Sequence, residues 1–139
     1  MSQILKESKQ PKLHNQACRF ISNMTWNEKY HQVLLEYNII PNLVSMLNSQ
    51  HDQKIVKYCV FALANLSSVA NFHQKTSTIN IKPIINLLDY NGDSAELIIE
   101  AAGSCLSNIS LNHSCHQYFL KEPELSILYK NFISADVSV

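Results

Sequence analysis

Apolar and small residues recur along the chain at helical rather than strand spacing, and one arrangement of them is repeated. Around Asn23, Asn65 and Asn108 the chain reads Ile-Ser-Asn-Met-Thr, Leu-Ala-Asn-Leu-Ser and Leu-Ser-Asn-Ile-Ser. Six residues before each Asn stands Ala17, Cys59 or Ala102; two before it Ile21, Leu63 or Leu106; one after it Met24, Leu66 or Ile109. Steps of four and three put these on one stripe of an α-helix, widened by Cys18 and Val60, and leave the Asn at the stripe's edge, free to face a groove. The three Asn are 42 and 43 residues apart. A period of about 40–47 residues marks a helical repeat array, in which each unit buries its apolar face only by stacking on a neighbour.

The rest of the unit follows from punctuation. Pro41 opens Pro-Asn-Leu-Val-Ser-Met-Leu and Pro83 opens Pro-Ile-Ile-Asn-Leu-Leu, each 18 residues past an Asn of the motif. Proline in the first turn of a helix gives up an N–H that had no partner there. Asn38 and Asn80 stand three residues before these prolines. Asn adopts the left-handed conformation that ends a helix, so both are expected to close the helix before them. The unit is thus a short helix (28–37, then 71–79), a middle helix (41–48, 83–90) and a long helix (53–68, 95–110). The whole of 1–139 reads as one repeat domain: a partial unit 1–24, repeats 26–68 and 69–111, a partial unit 112–134 in which Pro123 comes three residues early, and a tail 135–139.

Composition narrows the function. Eleven Lys and Arg balance eleven Asp and Glu, and no basic run stands out, which argues against nucleic acid as the ligand. No apolar run approaches the roughly 18 residues of a membrane span, and the first residues carry no apolar signal-peptide core. Cys18, Cys59 and Cys105 fall at small-residue positions of the helices that carry the motif, as reduced core thiols do. The expected compartment is therefore cytoplasmic or nuclear. Asn23, Asn65, Asn108 and Asn112 each also spell Asn-x-Ser/Thr, but placement within a helix does not suit a glycan acceptor.

These residues resemble the armadillo repeat family, whose unit runs as a short helix, a Gly-x-Ile-Pro-x-Leu-Val-x-Leu-Leu helix and a long helix ending Ala-Leu-x-Asn-Leu/Ile-Ser. Asn-Ile-Ile-Pro-Asn-Leu-Val-Ser-Met-Leu (38–47) and Phe-Ala-Leu-Ala-Asn-Leu-Ser (61–67) carry the likeness, which extends over about residues 4–133. The resemblance implies an all-α, right-handed solenoid of about three units, the first and last partial, with the third helices lining a concave groove. It implies that Asn23, Asn65 and Asn108 clamp the backbone of an extended partner segment, an amide offering donor and acceptor together. Arg19, Phe61 and Ser104, one turn earlier, form the adjacent row. Importin alpha proteins carry Trp in that row, so a nuclear import adaptor is the weaker expectation. The competing role for the Asn is to tie neighbouring third helices together.

Other chemistry is thin. His113-Ser-Cys115-His116 brings soft ligands together but lacks the further ligands of a structural zinc site. Glu96 and Glu100, spaced i, i+4 at the start of a long helix, favour its dipole. No phosphate loop, nucleophile elbow or catalytic triad can be traced, and two glycines leave little backbone for one. No enzyme activity, cofactor or metal is expected. Trp26, three residues after Asn23, is placed to anchor a partner or to pack beneath the next helix. The final helix carries Leu125, Ile127, Leu128, Tyr129, Phe132 and Ile133, too many apolar residues for one inner face, which makes Leu128 and Phe132 candidates for an interface. The chain is expected to be a scaffold or adaptor that binds protein partners, or else a structural subunit permanently held in a larger assembly.

Overall fold

The computed structural model describes residues 11–48, 52–69, 72, 80–121 and 123–133, and all regular elements among them are helical. Helix α1 (Pro11–Met24) is followed by a 3-10 turn, Glu28–Tyr30, and the short α2 (His31–Glu36). Helix α3 (Ile39–Asn48) leads to the long α4 (Gln53–Ser67). Helix α5 (Lys82–Asn86), continued by a 3-10 turn Leu87–Asp89, leads to the long α6 (Ala95–Ile109). A 3-10 turn His113–Cys115, α7 (His116–Phe119), α8 (Glu124–Leu128) and a π-helical turn Tyr129–Ile133 complete the described chain.

Local signals set several of the boundaries. Asn38 has φ 55° and its N–H reaches Leu35 O at 3.0 Å, so it ends α2 in the left-handed conformation, as expected. The chain then restarts at once, and α3 begins two residues before Pro41, which still falls in the first turn where its missing N–H costs nothing. Asp52 caps α4 by accepting from Lys54 N at 3.0 Å. Asn80 acts differently from Asn38: its side chain accepts from Lys82 N at 3.0 Å, at the start of α5. The short helix expected over 71–79 lies almost wholly outside the described residues. The helix expected over 83–90 is five α residues and a 3-10 turn, which closes with Tyr90 N–H on Leu87 O at 3.1 Å.

The helices pack in two rows. In one, α1 lies against α4 and α4 against α6; in the other, α3 lies against α5 and α5 against α8. The rows meet where α3 packs on α4 and α5 on α6. Between them Ile21, Leu43, Ile55, Leu63, Leu66, Ile84, Ile85, Ile98, Leu106 and Ile109 are essentially sealed from water, each contributing about 1.5–3 kcal/mol by burial. The side-chain ties between units share one step along the chain. Asn15 to Asp52, Gln53 to Asp93, Cys59 to Cys18, Asn131 to Asp89 and the Lys82–Glu124 ion pair span 37, 40, 41, 42 and 42 residues. Each therefore connects a unit with the next.

Candidate partner-binding groove

The Asn motif is built as a relay across the row of long helices. Asn65 Nδ2 donates to Thr25 Oγ1 at 3.0 Å, and that hydroxyl donates to Ser22 O at 2.6 Å. One unit on, Asn108 Nδ2 donates to Ser67 Oγ at 3.0 Å, and Ser67 Oγ donates to Ala64 O at 2.7 Å. The Thr or Ser two residues after Asn23 and Asn65 is thus the acceptor for the Asn of the following unit, which accounts for the Asn-x-Ser/Thr pattern there without any glycan. A hydroxyl suits the position because it can accept from the amide while donating backward to its own helix.

Asn65 and Asn108 thus make the tie between neighbouring long helices that was the competing role for them. One N–H of each is spent between units, leaving Oδ1 and the second N–H outside that bond. Asn23, at the edge of α1, is exposed. A second tie follows each relay: His31 Nε2 meets Thr25 O at 2.6 Å and His116 Nε2 meets Ser110 O at 2.7 Å. Because a carbonyl only accepts, both imidazoles carry their proton on Nε2. His73 stands at the same place eight residues after Asn65, outside the described residues. That His, repeated eight residues after every motif Asn, was legible in the sequence and is absent from the expectations above. His116 is committed to the backbone, and the rings of His113 and His116 lie edge to face with centroids 4.9 Å apart. Among the described residues no three His, Cys, Asp or Glu side chains converge to hold a metal.

Asn65 of the relay also lines an open groove of about 330 Å³, together with Trp26, Phe61, Ala64, Leu97, Glu100, Ala101 and Ser104. The groove brings together Trp26, Phe61, Asn65 and Ser104 of the expected set. Arg19, Asn23 and Asn108 are not in its lining. Trp26 is 75% exposed, so it does not pack beneath the Glu28–Tyr30 turn. Leu97 is 52% exposed and, with Glu100, Ala101 and Ser104, forms a single stripe on α6 facing Phe61 and Asn65 of α4. Leu97 and Glu100 were not among the expected groove residues. The signal for Leu97 was an apolar residue off the repeated buried stripe.

A second cavity, of about 360 Å³, lies at the far end of the row and is lined by Gly103, Leu106, Ser107, Ser110, Phe119, Leu128 and Phe132. It contains both residues expected at an interface. Ile127 and Leu128 pack partly on the core, while Leu125, Tyr129 and Phe132 are exposed. All four cysteines are free and buried. Burial pushes the Cys105 thiol up to about 12. Among the described residues no helix is long and apolar enough to cross a membrane. No protein-family model matches the chain, and no characterised protein is significantly similar to it in sequence.

Proposed function

We propose that the chain is an armadillo-like α-solenoid that serves as a protein-binding module, holding an extended partner segment in the groove between Trp26, α4 and α6. The observation that carries the reading is the exposed Trp26 lining one groove with Phe61, Leu97, Asn65, Ser104 and Glu100. Large amphipathic rings left open over apolar neighbours are the residues on which binding energy concentrates. Asn65 Oδ1 and Ser104 Oγ supply hydrogen-bonding groups for a peptide backbone, and Glu100 favours a basic side chain in the segment. Four buried free thiols support a reducing compartment, cytoplasm or nucleus.

Trp26 is the sole tryptophan, so its fluorescence reports directly on the groove. Random extended peptides selected on the wild-type chain should shift Trp26 emission on titration and lose most of their affinity against Leu97→Asp. Selection that yields no peptide sensitive to Leu97→Asp, Phe61→Ala or Trp26→Ala would dispose of the groove reading. A second reading, a subunit held in a larger assembly, is favoured by the open cavity that contains Leu128 and Phe132.

A further inference from the structure

Among the described residues, the faces that pack between long helices inside the molecule are open at least in part at both ends of the row, with Phe119, Leu128 and Phe132 beside the outgoing one. On the outgoing side, Cys18, Ser22 and Thr25 of the first unit are buried beneath α4, at 0%, 3% and 1% exposure. Their counterparts Val60 and Ser67 are buried at 0% beneath α6. In α6 the same positions are Gly103, Ser107 and Ser110, of which both serines are exposed and border the end cavity. On the incoming side, Cys105 of α6 hydrogen-bonds Ser67 of α4, and both Cys105 and its α4 counterpart Ala62 are 0% exposed. The corresponding residue of α1 is Phe20, 49% exposed, with exposed Asn23 one turn on.

From this pairing we infer that copies of the chain associate head to tail, α1 of one copy seating on the outgoing face of α6 of the next. The interface is the one the molecule already makes twice, α1 on α4 and α4 on α6, repeated between copies. Its hydrogen bond is supplied in advance. Asn108 bonds Ser67 and Asn65 bonds Thr25, so the next step of the relay joins Asn23 of one copy to Ser110 of another. Ser110 Oγ already donates backward to Ser107 O at 2.6 Å, the posture in which Thr25 and Ser67 accept from an Asn. The contact also matches in size. Phe20 is larger than Ala62 or Cys105, and it meets Ser107 and Ser110 at the mouth of a cavity walled by Leu106, Phe119, Leu128 and Phe132. The full chain has no net charge, so no general repulsion opposes stacking. Because the two faces differ, the contact is heterologous and adds copies one after another rather than fixing a two-fold dimer. The inference is independent of peptide binding in the groove.

Sedimentation velocity of the full chain over a concentration series should show mass growing with concentration. Phe20→Asp disables the incoming face and Ser110→Arg the outgoing face, so each variant alone should be monomeric. Mixed, they should form a one-to-one dimer and nothing larger, since only one working face of each remains. Circular dichroism confirms that both variants stay helical; if either does not, Asn23→Ala and Ser110→Ala replace them, each weakening association several-fold, up to about tenfold. A wild-type chain that stays monomeric to its solubility limit overturns the inference, as does a mixture that fails to pair or a single variant that still assembles.

Discussion

The amide of Asn65 donates to the hydroxyl of Thr25 at 3.0 Å across 40 residues of chain, in a partly buried place where that hydroxyl also donates to Ser22 O. Removing either should therefore cost stability rather than only affinity. Asn65→Ala and Thr25→Val are each expected to destabilise by about 0.5–1.5 kcal/mol. The double variant should lose less than the sum, because the second change removes a group already unpaired. Urea unfolding of the four proteins gives the coupling directly. Strict additivity would mean that the contact contributes nothing.

Trp26→Ala should separate binding from folding. With three-quarters of the ring in water, its removal is expected to leave thermal stability within about 0.5 kcal/mol while abolishing the affinity of groove-selected peptides. A large fall in melting temperature would assign the ring to packing instead.

The two glycines should respond with opposite signs when changed to Ala. A Cβ on Gly92 would meet Tyr90 OH at 2.6 Å and Tyr90 Cζ at 2.9 Å, so the end of the Tyr90 side chain must move, at a cost of up to about 1 kcal/mol. A Cβ on Gly103 would sit 3.6 Å from Phe132 Cε1, an ordinary contact, and Gly103 lies inside α6. Ala there is expected to stabilise by about 0.5–1 kcal/mol through helix propensity. Thermal melts of the two variants on either side of wild type would bear this out.

The buried thiols predict a loss of stability in alkali. The Cys105 thiol is held up to about 12 by burial, against 9.0 for an ordinary thiol. Between these values the unfolded chain has released a proton that the folded chain keeps, so stability falls with rising pH by about 1.4 kcal/mol per unit from this group. Cys59, raised by the neighbouring Cys18 thiol and by burial, acts in the same direction; Cys18, lowered by its bond with Cys59, acts against it. Urea midpoints measured from about pH 8 to about pH 11 should decline, and Cys105→Ala should make the decline shallower. A flat profile in both proteins would contradict the assignment.

How far the fold could be read from residues depended on the kind of signal. Helical periodicity around the motif Asn located α4 and α6 to within a residue or two, because a buried stripe in a long helix is overdetermined by many positions. Asn38 was legible because its left-handed backbone has few residue types to choose from. The 3-10 ending of α5 and the π-helical turn after α8 were not, since they arise from packing rather than from a local preference. At the groove, Phe61, Asn65 and Ser104 came from the repeat and its resemblance, and Trp26 from its spacing to Asn23. Leu97 and Glu100 escaped because alignment finds what units share, whereas a binding surface is made where they differ. The tie of Asn65 and Asn108 to a neighbour turned on a hydroxyl of the preceding unit, Thr25 or Ser67, two residues after that unit's own motif Asn.

Ties that reach only one unit along the chain also govern how the molecule comes apart. No described contact named above requires the two termini of the row to find each other, so assembly proceeds through short chain closures and should be rapid for a protein of this length. Opening starts at the edges, where a long helix has a partner on one side only. Helix α4, held by α1 and α6 together, should exchange its amide protons last. Protection graded from α4 outward, rather than uniform across the chain, is the dynamic signature of that connectivity.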